Sequence, residues 1–283
     1  MDQRLGKTHW VEDAYPSRSI SVDGRKQAYR EDGSGDAPVM ILLHGIGSGS
    51  GSWCYQLNYF KNRYRVIAWD APGYNFSTPL GEEKLGAIDY ARALGRFLDV
   101  LKVRPAFLIG HSLGAMIAGA YAAHVNPKIP TLILGSPANG YGESPSEIRD
   151  QKLASRLNMI RELGPEGMAD KRSRNLLSDN PPAEAVEIVK WNMKKTTLIG
   201  YEQASYSLAG GHLKGHAREF GGKVLVLCGG EDYVTPVASC KEVAAAYNEA
   251  TFEILPGLGH AMYVEGPELF NRAVEKFIEA SYA

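Results

Sequence analysis

Residues 105–119 read PAFLIGHSLGAMIAG, and this stretch decides the fold. Residues 106–109 form an apolar run that is long enough for a buried strand and too short for a helix. A glycine-flanked turn at 110–114 follows, and after it comes an alanine-rich segment that favours helix. In this strand–turn–helix context the pattern G-x-S-x-G is typical of an exposed serine on a strained backbone. We therefore predict that Ser112 is a nucleophile and that the next helix points its positive end at a developing oxyanion.

Composition excludes several classes of protein. The 283 residues carry 31 basic and 32 acidic side chains, so neither a nucleic acid nor a membrane is expected as a partner. Three cysteines lack metal-ligand spacing and are interpreted as buried, reduced thiols, at positions Cys54, Cys228 and Cys240. No N-terminal apolar segment resembles a signal peptide, and no apolar run approaches the ~20 residues that cross a bilayer. We expect a cytoplasmic protein.

Further apolar runs predict the rest of the sheet. Continuous apolar strands are predicted at 38–43, 64–69, 131–134, 223–228 and 251–255, with helices at 89–101, 237–248 and 267–280. This alternation indicates an α/β fold with a mostly parallel, doubly wound sheet. Residues 19–23 and 27–31 predict an antiparallel hairpin at the sheet edge, with Asp23 and Gly24 in its turn.

Between 138 and 221 the buried-strand pattern stops. Helices are predicted at 146–163, 165–177, 182–195 and 198–209, separated by glycine and proline pairs. We interpret 138–221 as an inserted helical cap over the site, with 1–137 and 222–283 forming the core domain. The other interpretation, a separate helical domain, is weaker because the sheet resumes at once. A cap would exclude water and select the substrate.

A serine nucleophile needs a base and an acid that orients the base. His260 follows a strand end in a glycine-flanked loop, and the order nucleophile, acid, histidine supports it as the base. Asp232 follows another buried strand and is the preferred acid. Glu231 and Asp70 remain alternatives, although Glu231 could be a solvated charge and Asp70 is expected to brace loops.

The tetrahedral intermediate needs two backbone N–H donors. We predict the N–H of Leu113, directly after the nucleophile, as one donor. The second donor is predicted in the glycine-rich loop after the first buried strand, at Ile46, with Gly47 as the next candidate.

Four motifs in order resemble the α/β-hydrolase superfamily: HGIG at 44–47, GHSLG at 110–114, GGEDYVTP at 229–236 and GLGH at 257–260. The resemblance covers about residues 20 to 280. It implies the α/β-hydrolase fold, the triad Ser112, Asp232 and His260, and no metal or organic cofactor. Serine as nucleophile argues against the haloalkane dehalogenases and epoxide hydrolases of this fold, which use aspartate.

Parts of the chain also resemble catabolic hydrolases of this superfamily. The cap sequence ELGPEGMADKRSRNLLS and the loop HGIGSG are similar to 3-oxoadipate enol-lactonases, whereas GSPANGYG at 135–142 is not. Carbon–carbon hydrolases of meta-ring-fission products usually carry HGxGPGA in the first loop, which SGSGS does not match. An ester or lactone substrate is therefore favoured over a C–C bond. A non-catalytic ligand receptor of the same fold is a third reading.

Candidate substrate contacts are less determined. Gly47 and His111 lie beside the predicted oxyanion hole and nucleophile. Trp53 and Trp191 could line an apolar pocket or belong to the core, as could Met159, Met193 and Tyr206. Cap cations could hold a substrate carboxylate or form a solvated helix face: Arg156, Lys171, Arg172, Arg174, Lys190 and Lys194. The expected partner is a small-molecule substrate, and a homodimer is compatible with the sequence.

Overall fold

The computed structural model describes residues 8–282, apart from the side chain of residue 282. The fold is built on one eight-stranded sheet. Residues 1–7 and 283 of the predicted core domain lie outside the described residues. The strands are β1 (Arg18–Val22), β2 (Arg25–Asp32), β3 (Val39–Leu43), β4 (Arg65–Trp69), β5 (Pro105–His111), β6 (Thr131–Gly135), β7 (Lys223–Gly229) and β8 (Ala250–Leu255). Each predicted strand is confirmed with its ends moved by at most two residues.

The strand order is β1-β2-β4-β3-β5-β6-β7-β8. β1 pairs antiparallel with β2, and β2 antiparallel with β4, while every other pair is parallel. The predicted edge hairpin is confirmed, because Asp23 (φ 51°) and Gly24 (φ 75°) form the two-residue turn that the twist of paired strands favours.

Eleven α-helices are found between residues 8 and 282. They are α1 (His9–Ala14), α2 (Cys54–Phe60), α3 (Ala87–Leu101), α4 (Leu113–His124), α5 (Ser146–Arg172), α6 (Ala183–Lys194), α7 (Leu198–Gly210), α8 (Leu213–Ala217), α9 (Val237–Ala246), α10 (Met262–Glu265) and α11 (Pro267–Tyr282). Short 3-10 turns cover Ser50–Trp53 and Ser173–Leu176. The sequence analysis missed α1, α2, α8 and α10, which have six, seven, five and four residues and are too short to show a period. None of the described helices is both long and apolar enough to cross a membrane.

Hydrophobic cores lie on both faces of the sheet. Along β3, Ile41 and Leu43 pack with α3 and α4, whereas Met40 and Leu42 belong to a second cluster with α2 and α11. Because successive strand residues point to opposite faces, a strand buried on both sides must be apolar throughout. The doubly wound arrangement is therefore confirmed.

The chain between β6 and β7 is helical and contains α5 to α8. α5 is broken at Gly164 (φ 63°, ψ 178°), where the sequence predicts a helix boundary before Pro165. The start of α7 approaches the core closely, because a Cβ added at Gly200 would lie 2.0 Å from the Gly73 carbonyl oxygen. We keep the name cap segment for residues 138–221, whose role as a cap and whose bounds remain predictions.

Candidate active site

The turn after β5 holds Ser112 in a strained conformation. Its φ of 53° and ψ of −115° lie outside the regions that L-residues favour. A Cβ at Gly110 would lie 2.3 Å from the Gly114 carbonyl oxygen, and one at Gly114 would lie 2.2 Å from the Leu43 carbonyl oxygen. Only glycine fits at these two positions. The strained backbone predicted for Ser112 in this glycine-flanked turn is confirmed.

Neighbouring strands fix the serine backbone. The Ser112 N–H donates to the Gly135 carbonyl oxygen at 2.9 Å, and the Ser112 carbonyl oxygen accepts from the Ala138 N–H at 3.2 Å. Leu113 begins α4, and its side chain is buried in the core, so any role in binding falls to its backbone. Ser112 is only 5% exposed, so the expectation of an exposed serine is wrong: the residue lines a cavity that the core and the cap segment both enclose.

His260 is oriented by a buried carboxylate. Its Nδ1 lies 2.9 Å from Asp232 Oδ2. The Thr235 hydroxyl donates to the same oxygen at 2.8 Å, and the Val234 and Thr235 backbone N–H groups donate to Oδ1 at 2.8 and 2.9 Å. An ionised carboxylate has no proton to donate, so Nδ1 carries the proton and Nε2 is left as the basic nitrogen.

Asp232 is held in its ionised form. Burial alone would raise the pKa of Asp232, but the His260 imidazole and the hydrogen bonds from His260 and the Thr235 N–H hold this pKa below its usual range. The two alternative acids lie elsewhere. Glu231 accepts from the Asp179 N–H at 3.1 Å at an exposed position. Asp70 accepts from the Ser50 N–H and hydroxyl at 2.7 and 2.8 Å, and so braces a loop as predicted.

Two further histidines are locked in neutral forms around the site. His111 Nε2 donates to the His260 carbonyl oxygen at 2.9 Å, and burial, followed by the nearby His260, lowers the pKa of His111 to about 3. The His44 Nδ1 donates to the Gly45 carbonyl oxygen at 2.8 Å, while its Nε2 accepts from the Ala71 N–H at 3.1 Å. His44 thereby fixes the loop that carries Ile46.

This loop passes directly over the nucleophile turn. A Cβ at Gly45 would lie 3.0 Å from His111 Nδ1 and 3.1 Å from the Ser112 Cβ, so a side chain there would crowd the turn. Ile46 and Gly47 both line the cavity, and Gly47 has a φ of 71°. The predicted location of the oxyanion loop beside Ser112 therefore agrees with the geometry, while its role remains a prediction.

The cavity has a volume of about 210 Å³ and is lined from both the core and the cap segment. It is smaller than the ~300–1,000 Å³ of typical drug-sized sites, which fits a small substrate. Among the candidates named from the sequence, those that line the cavity are Ser112, His260, Ile46, Gly47, His111, Arg156, Arg172 and Met193. Among residues 8–282, no three His, Cys, Asp or Glu side chains group in a way that could hold a metal ion.

Comparison with known proteins identifies the family of this chain. The family model described as the alpha/beta hydrolase fold matches residues 38–267. The chain belongs to this family. It is 27% identical to 3-oxoadipate enol-lactonase 2 of Acinetobacter baylyi, over 87% of the chain and 91% of the relative. It is also 27% identical to a 2-hydroxy-6-oxononadienedioate/2-hydroxy-6-oxononatrienedioate hydrolase of Comamonas testosteroni, over 87% of the chain and 89% of that relative.

A solved structure extends the comparison of folds. The enol-lactonase from Burkholderia xenovorans LB400 superposes with a TM-score of 0.81 at 21% identity, covering 93% of this chain and all of that one. At this identity the match shows the fold alone. The α/β-hydrolase fold and the family resemblance predicted from the four motifs are thus confirmed.

Two predicted substrate contacts of this α/β hydrolase are not at the cavity. Trp53 is fully buried and stacks on Tyr263 with ring centroids 4.1 Å apart, so it supports the cavity wall from behind. Trp191 packs over Gly51, and the centroid of its ring lies 3.5 Å from Lys195 Nζ. Neither indole lines the cavity. Both rings contribute to packing instead, because a large aromatic side chain fills the space between neighbouring helices and loops.

Sequence analysis also missed residues that position the site. Thr235 binds the Asp232 carboxylate, and its signal was a hydroxyl three residues after the acid in EDYVT. Glu265 is a buried carboxylate that accepts from the Gly259 N–H at 2.7 Å, the Ser178 N–H at 3.0 Å and the Ser178 hydroxyl. It therefore ties the cap segment to the loop of His260. The signal was an acid within the otherwise apolar sequence AMYVE.

Proposed function

We propose that this α/β hydrolase is a serine hydrolase that cleaves an ester or enol-lactone bond of a small molecule through an acyl-enzyme on Ser112. The observation that carries the proposal is the 2.9 Å contact between His260 Nδ1 and Asp232 Oδ2 at a cavity that Ser112 also lines. An oriented histidine beside a strained serine is the arrangement that activates a hydroxyl nucleophile.

The proposed reaction has two stages, formation of the acyl-enzyme and its hydrolysis, and His260 transfers a proton in each. The Ser112 Oγ attacks the carbonyl carbon while His260 Nε2 accepts its proton, and the Asp232 carboxylate stabilises the imidazolium that forms. The backbone N–H groups of Leu113 and Ile46 are assigned to the oxyanion of the tetrahedral intermediate. His260 then protonates the leaving oxygen, and a water molecule, deprotonated by His260, releases the acid and Ser112.

Relatives support the choice of bond. One relative is named 3-oxoadipate enol-lactonase 2, which matches the ester or lactone class favoured by the oxyanion-loop sequence. The cap segment is proposed to close the cavity and select the substrate. Gly47 and His111 are proposed as substrate contacts from the core side of the cavity.

Carbon–carbon bond cleavage is the second candidate. The relative from Comamonas testosteroni named 2-hydroxy-6-oxononadienedioate/2-hydroxy-6-oxononatrienedioate hydrolase favours it at the same 27% identity. In that reaction His260 would help to ketonise a dienol substrate before water or Ser112 attacks the carbonyl. The loop sequence SGSGS, which departs from HGxGPGA, places this candidate second.

Turnover of 4-nitrophenyl acetate by the wild type and by Ser112→Ala tests the proposal. We expect kcat to fall by about 10³-fold or more in Ser112→Ala, because the nucleophile is lost, with binding largely kept. Ser21→Ala, an exposed serine on the edge strand β1, is the matched control and should retain full activity.

The ring-fission dienone 2-hydroxy-6-oxohepta-2,4-dienoate, assayed in parallel, separates the two candidates. Rapid turnover of the dienone with little ester hydrolysis would favour C–C cleavage. Activity on neither compound would favour a receptor role, and ester hydrolysis that survives in Ser112→Ala would contradict the proposal.

A further inference from the structure

Two arginines of α5 face the same cavity as the nucleophile. Arg156 lies before the break at Gly164 and Arg172 at the end of the helix, and both line the cavity. Each side chain is partly buried. No Asp or Glu is found among the described residues that line this cavity. Its cap side therefore carries two positive charges without a compensating carboxylate.

Two other cations of the cap segment form ion pairs with carboxylates. Arg161 binds Glu202 at 2.6 Å, and Lys190 binds Asp170 at 2.7 Å, both at the surface. The Arg172 guanidinium has neither an ion pair nor a hydrogen bond within residues 8–282. Arg172 thus differs from Arg161 and Lys190, whose charges are paired with carboxylates.

Arg156 is oriented but not neutralised. Its Nη2 donates to the Tyr141 hydroxyl at 3.2 Å, its Nη1 donates to the Lys152 carbonyl oxygen at 3.1 Å, and the guanidinium lies 5.2 Å from the centroid of the Tyr141 ring. These partners are neutral, so they fix the direction of the side chain and leave its charge for a ligand.

Tyr201 connects the two arginines with the reacting end of the cavity. Burial raises the pKa of Tyr201, and the charges of Arg172 and Arg156 oppose that rise, so both guanidinium groups act on this phenol. The ring of Tyr201 also covers the oxyanion loop, because a Cβ at Gly47 would lie 3.6 Å from its Cε2. The cationic side of the cavity is therefore next to the oxyanion loop.

We infer that Arg172 and Arg156 form a carboxylate-binding subsite, and that the ester or lactone cleaved at Ser112 carries a second, ionised carboxyl group. The inference rests on the proposed function and specifies its substrate class. Two unpaired like charges in a partly buried cavity are costly, and a bound carboxylate removes that cost. A guanidinium also binds a carboxylate through two parallel hydrogen bonds, so an arginine that faces the cavity is suited to hold such a group.

The test compares two esters that differ in one charge. Monomethyl adipate ends in a carboxylate, and methyl adipamate has the same length with a neutral amide. Acid release in a pH-stat gives kcat/KM for each. We expect the wild type to prefer the carboxylate at least about tenfold and this ratio to fall to near one in Arg172→Met, because a charge-assisted pair is lost. Arg156→Met should lower the ratio less, since Arg156 is held partly by Tyr141.

Lys171→Met is the matched control. Lys171 precedes Arg172 on α5 and carries the same charge, but it is exposed and does not line the cavity, so the ratio should stay at the wild-type value. Arg172→Lys keeps the charge without the planar fork and should give an intermediate ratio. Using a ratio cancels any general loss of folded protein.

The inference would be overturned by a wild-type ratio near one, by hydrolysis of neither methyl ester, or by a full preference in Arg172→Met. Failure of the proposed function is distinguished separately, because Ser112→Ala would then keep its activity on neutral 4-nitrophenyl acetate. If the preference for the carboxylate disappeared in Lys171→Met as fully as in Arg172→Met, it would come from the overall positive charge of the helix and not from a subsite.

Discussion

Three histidines surround the nucleophile turn, and their hydrogen-bond partners divide them into two roles. His260 is oriented by a carboxylate, whereas His111 and His44 each donate one hydrogen bond to a backbone carbonyl. Of these three, only His260 has a carboxylate hydrogen-bonded directly to its ring, where it can stabilise a positive charge. This difference supports one proton-transferring histidine at the cavity and two neutral histidines that hold loops in place.

Neutral His111 makes the stability of the fold depend on pH. Its pKa is about 3 in the folded protein, against roughly 6.5 when unfolded, so the unfolded state binds one more proton between these values. The stability contributed by neutral His111 is fully present above pH 6.5 and is lost as the pH falls towards 3. Between pH 6.5 and 4.5 this loss amounts to about 2 kcal/mol.

His111→Gln should remove that part of the pH dependence. The free energy of unfolding is measured by urea titration at pH 6.5 and at pH 4.5. The decrease between these two pH values should be about 2 kcal/mol smaller in the variant than in the wild type. Glutamine can still donate to the His260 carbonyl oxygen but does not titrate. His9→Gln, at an exposed position, is the control and should keep the wild-type difference. An unchanged difference in His111→Gln would show that His111 is not held neutral.

At the scale of elements, the loop of His260 is held from the cap segment as well as from the sheet. The Ala261 N–H donates to the Leu176 carbonyl oxygen at 2.8 Å, and Glu265 at the end of α10 accepts from Gly259 and Ser178. A Cβ at Gly259 would lie 2.5 Å from the Ser178 nitrogen, so the two segments are in direct contact. Movement of one segment must therefore disturb the other.

Glu265→Gln should weaken this connection. An amide has one acceptor oxygen, and its NH₂ group would face an N–H donor, so a buried donor is left without a partner. We expect the free energy of unfolding to drop by about 2–4 kcal/mol. In addition, kcat/KM for 4-nitrophenyl acetate should fall, with kcat affected more than KM, because His260 is mispositioned.

Glu268→Gln on α11 is the comparison for this variant. Glu268 is exposed and pairs with Arg272 at 3.3 Å, and such surface pairs contribute only about 0–1 kcal/mol. Both stability and turnover should stay close to wild type. If Glu265→Gln behaved like Glu268→Gln, Glu265 would not connect the two segments.

Over the whole molecule, the sheet and the order of the site residues could be predicted from sequence. A parallel strand buried on both faces tolerates almost no polar residue, so β3 to β7 appear as apolar runs and the residues after them share one edge of the sheet. Chain order then placed Ser112, Asp232 and His260 together. Short helices such as α1 escaped because six residues hold less than two turns.

The cap side of the cavity could not be predicted in the same way. Lys171 and Arg172 are adjacent cations, yet only Arg172 lines the cavity, and α5 has no continuous apolar stripe to show which face is buried. Trp53 and Trp191 were ambiguous because core and cavity both favour large aromatic rings. Such choices depend on packing between segments distant in sequence, which periodicity does not report.

The central claim is that Ser112 is the nucleophile, and covalent labelling tests it most directly. A fluorophosphonate transfers its phosphonyl group to an activated serine oxygen with loss of fluoride, and the adduct is located by peptide mass spectrometry. The account predicts a single adduct on Ser112 in the wild type, slower labelling in Asp232→Asn, and none in Ser112→Ala. An unlabelled wild type, or an adduct on another residue that persists in Ser112→Ala, would contradict it.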